Sequence, residues 1–124
     1  MRLDKLAKTA VAALEDIKGR DIVVLDVRRL TSMFDTMILV GADSNRQGRA
    51  LSSNVQEKAK ALGARVYGVE GEPVGEWILV DLGSVIVHIM QHVVRKHYNL
   101  EELWAPPRPR ARRRRAGAAA ARVS

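Results

Sequence analysis

The side chains able to do chemistry in this chain are few and widely spaced. There is no cysteine in 124 residues, which removes disulfides, thiolate nucleophiles and cysteine-based zinc sites together and suits a reducing compartment. Three histidines, His88, His92 and His97, raise the question of a metal. Zinc needs three or four ligands at fixed geometry. His88 falls in an apolar strand-like run and the other two around the helix that follows, so hydrogen-bonded or solvated imidazoles are expected instead. If that run folds as a hairpin, Asp81 is diagonal to His88 and within side-chain reach. A local ion pair is the expectation, and no serine or cysteine is placed to complete a triad.

A nucleotidyl-transfer site is the sharpest enzymatic alternative. It needs a Gly-Ser turn and then paired carboxylates holding two Mg²⁺ ions. The strand predicted over residues 65–70 carries no Asp-x-Asp. Glu70 and Glu72 fall at its end and in a loop, and Asp26, Asp35 and Asp81 are scattered over separate elements. The turn Gly41-Ala42-Asp43-Ser44 leads into a helix start, where free N–H groups can hold anions. It lacks a G-x-G-x-x-G pattern and a Walker lysine, and Asp43 would repel a phosphate, so helix capping is expected there.

Binding is the better use of what remains. Aromatics make up 4% of the chain, so each one needs a reason to be present. Trp77 stands between a loop and a run whose two faces differ, and tryptophan is enriched at binding hot spots because it buries a large area with few rotors. Exposure to a partner is the expectation for Trp77, and a structural role for Trp104.

The formal charge of +7 misleads until it is located. Seven of the 21 Lys and Arg (Arg108, Arg110, Arg112, Arg113, Arg114, Arg115 and Arg122) lie in residues 105–124, which hold no acid. That leaves 14 against 14 acidic residues, so residues 1–104 are neutral. Domains that bind nucleic acid through their fold cluster Lys and Arg on one face, and no such run precedes Ala105. The tail itself is low in complexity, with disorder expected. It could make non-specific contacts to RNA by releasing counterions.

The elements that must position these residues follow from periodicity. Leu3, Leu6, Ala10, Leu14 and Ile17 form a helical stripe over residues 3–18, with Gly19 as its C-terminal cap. Residues 21–27 and 36–41 read as strands. Ser44 with Gln47 forms a capping box for a helix burying Leu51, Val55, Ala59 and Leu62. A third strand covers residues 65–70, and 70–75 is a loop dense in turn residues. In residues 76–91 the pair Gly83-Ser84 between apolar runs predicts a two-residue type II′ turn. Leu82 then faces Val85, Val80 faces Val87, and Ile78 faces Ile89. That face is aliphatic core. The other carries Trp77, Leu79, Asp81, Ile86, His88 and Met90, to be covered by another element or left for a partner. A closing helix spans residues 93–104, and Pro106, Pro107 and Pro109 end regular structure.

One domain is expected over residues 1–104, α/β in class, with a mixed sheet and helices packed on one side of it. No apolar run approaches the ~18 residues of a membrane span, and the N-terminus lacks an apolar stretch of signal-peptide length. The chain therefore reads as cytoplasmic, needing no cofactor and no membrane. A monomer, or a weak homodimer paired through the hairpin edge, is expected.

The order of short runs is more specific than the periodicity. Residues 13–22 (ALEDIKGRDI), Leu25-Asp26-Val27, Ser44-Asn45-Arg46-Gln47, Glu70-Gly71, Glu76-Trp77-Ile78-Leu79-Val80-Asp81-Leu82-Gly83, Val85-Ile86-Val87-His88 and residues 98–104 (YNLEELW) stand in order across nearly all of residues 3–104. In these the chain resembles the ribosomal silencing factor family, also called Iojap-like. It departs from the family pattern in having Gly41-Ala42-Asp43 where Thr-Gly usually precedes the Ser-x-Arg-Gln turn, and Leu82 where a tyrosine often follows the hairpin aspartate. The resemblance implies a nucleotidyltransferase-like fold without the transferase motif. It also implies binding to the large ribosomal subunit through large-subunit ribosomal protein fourteen, which would sterically block joining of the small subunit and repress translation when nutrients are short. By this carry-over Trp77, Leu79, Asp81, His88, Met90 and Tyr98 are the contact candidates, with Arg46 and Gln47 behind them. The alternatives are a nucleotide-binding or nucleotidyltransferase-like enzyme, and RNA binding driven by the tail.

Overall fold

The fold comes from a computed structural model that describes residues 4–100. The expected element order is present: α1 (Lys5–Asp16), β1 (Arg20–Asp26), β2 (Thr36–Ala42), α2 (Asn45–Ala61), β3 (Gly68–Glu70), β4 (Trp77–Asp81), β5 (Val85–Gln91) and α3 (His92–Tyr98). The third strand is shorter than its apolar run suggested. The tail and Trp104 lie outside the described residues, as does the expected boundary at residue 104.

Helix α1 starts at Asp4, whose carboxylate accepts the Ala7 N–H at 2.8 Å. Such a cap contributes about 1 kcal/mol. Its buried stripe is Ala7, Ala10, Ala13 and Leu14, so small alanines let it pack closely against α2. Gly19 does not cap the helix. Ile17 is the C-cap, and Lys18 takes the left-handed conformation with φ 62°. Glycine is required one position later because a Cβ there would lie 2.5 Å from Val40 Cγ2. Helix α2 is capped by the Ser44 hydroxyl, which accepts the Gln47 N–H at 3.0 Å. It buries Leu51, Val55 and Ala59, while Leu62, expected in the stripe, is exposed.

The strands form one sheet in the order β1-β2-β5-β4-β3. Strands β2 and β5 run parallel at its centre and the other pairs are antiparallel. Pairing in β4–β5 matches Val80 with Val87 and Ile78 with Ile89, the register set by the Gly83-Ser84 turn. Both hairpin strands are interior, because β3 covers the free side of β4. The expected self-pairing of a hairpin edge therefore has no edge to use.

Side chains alternate across the sheet and divide the core in two. One face packs Ile38, Val40, Ile78, Val80, Val87 and Ile89 against α1 and α2. The opposite face builds a smaller cluster from Val27, Met37, Leu39 and Met90, joined by Val23, Trp77, Val94 and Leu100. Helices thus lie on both faces, not on one as expected. Val94 of α3 belongs to the second cluster. A seven-residue helix with no side-chain cap draws its stability from docking on that face.

Candidate functional site

The hairpin turn sets the site. Gly83 has φ 90° and Ser84 is not among the positive-φ residues, as a type II′ turn requires. The Leu82 N–H donates to the Val85 carbonyl at 2.9 Å. The Asp81 carboxylate accepts the Gly83 N–H, also at 2.9 Å. That register pairs Trp77 with Met90, Leu79 with His88 and Asp81 with Ile86, so all six point to the face that α3 shares.

An aromatic cluster occupies this face. The Trp77 indole N–H donates to His88 Nδ1 at 2.9 Å. The Tyr98 ring lies 4.9 Å from the indole, centroid to centroid, at 49°, and His97 meets Tyr98 edge-on at 4.8 Å. Tilted and edge-on rings at these separations are the favoured aromatic arrangements. His88 is only 8% exposed, and burial pushes its pKa down to about 4. It is therefore neutral near pH 7. Because Nδ1 accepts the indole hydrogen, the ring proton is on Nε2. This replaces the expected Asp81–His88 ion pair: the imidazole carries no charge to pair, and its partner is the indole.

A tight loop holds Trp77 from behind. Gly71 has φ 89°, and a Cβ there would lie 2.0 Å from the Trp77 carbonyl oxygen. The Gly75 N–H closes the loop onto the Gly71 carbonyl at 2.8 Å. The Glu72 carboxylate ties it to α2 by accepting from the Ser52 hydroxyl at 2.9 Å. Among the described residues, no three His, Asp or Glu side chains converge on a possible metal position.

The candidates divide by accessibility. Trp77, Leu79 and Asp81 are half-buried and Tyr98 is exposed, so these four present one continuous surface. Met90 is fully buried and His88 nearly so. Met90 supports the surface from beneath and offers a partner nothing in this conformation. Arg46 is exposed on the first turn of α2. Gln47 is committed internally. Its amide donates to the Ile17 and Lys18 carbonyls at 3.1 and 3.2 Å, and its oxygen accepts the Asp43 N–H. The predicted capping box is thereby modified: Gln47 reaches past Ser44 to the residue before it. Sequence reasoning missed His97 and Val94. The signal available was Val94 and Tyr98, four apart and so on one helical face.

Comparison with known proteins gives a consistent result. Residues 1–122 match the family described as "Ribosomal silencing factor during starvation". A Chromobacterium violaceum protein named as a ribosomal silencing factor is 49% identical over 109 residues, covering 88% of this chain and 89% of that protein. A crystal structure of a protein from the same organism superposes with a TM-score of 0.82 at 47% identity, covering 95% of this chain and 96% of the other. More distantly, a Mus musculus protein named "Mitochondrial assembly of ribosomal large subunit protein 1" is 30% identical over 97 residues, covering 76% of this chain and 42% of that protein.

Proposed function

The chain belongs to the ribosomal silencing factor family, and we propose that it acts by docking its Trp77–Tyr98 surface on the large ribosomal subunit, through large-subunit ribosomal protein fourteen. The bound protein would occupy the face that the small subunit needs. The mechanism is steric and uses no turnover and no cofactor, and one copy suffices.

A single observation carries this reading. Trp77 is half-exposed yet fixed on three sides, by His88, by Tyr98 and by the loop at Gly71. A rigid, partly open tryptophan loses little entropy on binding, which is the character of a hot spot. Leu79 adds apolar area beside it. Asp81 Oδ2 has no partner among the described residues, leaving it available for a charge-assisted bond to a basic side chain. A standard interface buries roughly 800 Å² per partner, within the reach of this face together with Tyr98 and α3. The name of the mouse relative, which refers to the large subunit, agrees with that choice of partner.

Co-sedimentation with purified large subunits tests the proposal. Trp77→Ala is expected to weaken binding by about 30-fold or more, the loss typical of a hot-spot truncation. Wild-type affinity in a folded Trp77→Ala protein would refute the assignment of this face.

A further inference from the structure

Glycine weakens a strand, because it loses more freedom on folding than other residues and offers no side chain to pack. Within a strand it needs a reason: a left-handed backbone, a bulge, or something lying close against it. Gly68 sits inside the β3–β4 ladder, since the Tyr67 N–H before it already donates to the Asp81 carbonyl at 2.8 Å. None of the three reasons is found within the protein. Gly68 is not among the residues with positive φ. Its pairing with Asp81 continues through Val69–Val80 and Glu70–Leu79 without a shift of register. A Cβ at Gly68 would meet no atom within 4 Å. Each of the other described glycines has either a positive φ or a neighbour within 3.3 Å of the Cβ position.

We propose that Gly68 is a specificity-determining residue, left without a side chain so that a basic side chain of the partner, an arginine, can lie over it between Asp81 and Glu70. The inference rests on the docking face proposed above and extends that face from β4 onto β3.

The register supplies the geometry. Directly opposed residues of an antiparallel pair share a side of the sheet, so Gly68 accompanies Asp81 and Glu70 accompanies Leu79. Val69 points the other way and packs against the core under α1 and α2. The surface of Trp77, Leu79 and Asp81 therefore continues onto β3. Four positions form a square there, with carboxylates at two diagonal corners and Leu79 and Gly68 at the others. Diagonal neighbours across such a pair stand ~7–8 Å apart, which leaves room for one group between the two carboxylates, with Gly68 as its floor. Helix α3 docks over β5 and β2, at the other side of this face. Gly68, Leu79 and Asp81 are half-buried and Glu70 is exposed.

Charge names the occupant. Glu70 makes no hydrogen bond or ion pair among the described residues. Asp81 accepts the Gly83 N–H through one oxygen and keeps the other. Neither carboxylate has a cation beside it among the described residues, so a cation from outside completes the square. A lysine ammonium is a compact point charge, whereas a guanidinium spreads five donors across a planar fork. Two carboxylates on either side of one spot suit the fork, and the apolar stem of an arginine can rest on Leu79.

Co-sedimentation of the full chain with purified large subunits tests this, beside urea denaturation, for Gly68→Val, Glu70→Gln, their double variant and Trp77→Ala. Valine favours strands, so Gly68→Val should hold or raise the urea midpoint. It should weaken binding about tenfold or more, as overfilling a packed contact does. Gly68→Ala, the smaller step, should show the same opposition of stability and binding. Glu70→Gln keeps the shape and removes the charge, and should weaken binding about fivefold, the upper end for an open ion pair. The two losses should not multiply, because Glu70 has nothing left to hold once valine fills the guanidinium's place. The double variant should therefore bind much as Gly68→Val does, and a combined loss of about 50-fold overturns the shared occupant. Full binding by Glu70→Gln beside a weakened Gly68→Val assigns the space to an uncharged group and overturns the arginine. A lowered midpoint in Gly68→Val reveals an internal need for the glycine and overturns the proposal. Full binding by Gly68→Val with Trp77→Ala weakened removes β3 from the interface while the hairpin face stands. Full binding by Trp77→Ala removes the face itself.

Discussion

Replacing Trp77 with phenylalanine keeps an aromatic ring against Tyr98 and removes the one donor that His88 Nδ1 accepts. His88 is buried, so water does not readily replace that donor. A buried acceptor left unsatisfied costs about 1–3 kcal/mol, and the smaller ring forfeits some packing besides. A double-mutant cycle with His88→Leu separates the terms, because the lost packing cancels and the hydrogen bond does not. Trp77→Phe alone should lower stability by about 2 kcal/mol at pH 7.5, read by urea denaturation followed by circular dichroism. With the urea dependence of small domains, that moves the midpoint by about 1 M or more. The coupling energy should be about 1 kcal/mol, the ordinary net value of a hydrogen bond. A coupling below about 0.3 kcal/mol would mean that the indole and imidazole sit side by side without stabilising one another, and the account of a fixed Trp77 would fail.

Four further outcomes are expected. The folded His88 pKa of about 4 lies below its usual value of 6.5, so as pH falls the unfolded chain protonates first; stability from this group is complete above pH 6.5 and declines by about 3 kcal/mol towards pH 4, and His88→Leu should flatten that part of the stability–pH curve. Gly71→Ala meets both a positive φ and the Trp77 carbonyl at 2.0 Å, so it should lower Tm by about 8 °C or more and weaken large-subunit binding as well, because the loop behind Trp77 must shift. Met90→Ala should cost about 2–5 kcal/mol in stability, as truncations of buried side chains do, with binding per folded molecule little changed. Leu79→Ala, at a half-buried position, should do the reverse in the same denaturation and co-sedimentation assays.

The hairpin was legible because two local signals agree there. Gly83-Ser84 admits a II′ turn, and the alternation on either side accepts only one register, since a slip of one residue would turn Trp77 and His88 into the aliphatic core. The eight elements were legible for the same reason, each having its own period and its own punctuation. The placement of α3 was not. Its seven residues begin without a side-chain cap, and the face it covers is chosen by the whole sheet rather than by its own sequence. Once α3 is misplaced, Met90 looks exposed, because its burial depends on Val94 and Leu100 arriving from outside the hairpin. Gln47 shows a similar limit. A capping box is a local pattern, but the Ile17 and Lys18 carbonyls that take the Gln47 amide come from a helix end nearly thirty positions earlier.

The parallel pairing of β2 with β5 has a kinetic consequence. These strands join the two halves of the chain at the centre of the sheet, and Thr36 meets Val85 only after almost half the protein lies between them. Closing so long a segment is slow compared with forming a local hairpin. The β4–β5 hairpin can therefore form early and wait, with Trp77 not yet braced by α3, until β2 docks beside it. During synthesis, a chain emerging from a ribosome has no completed Trp77 surface until nearly all its described residues are out.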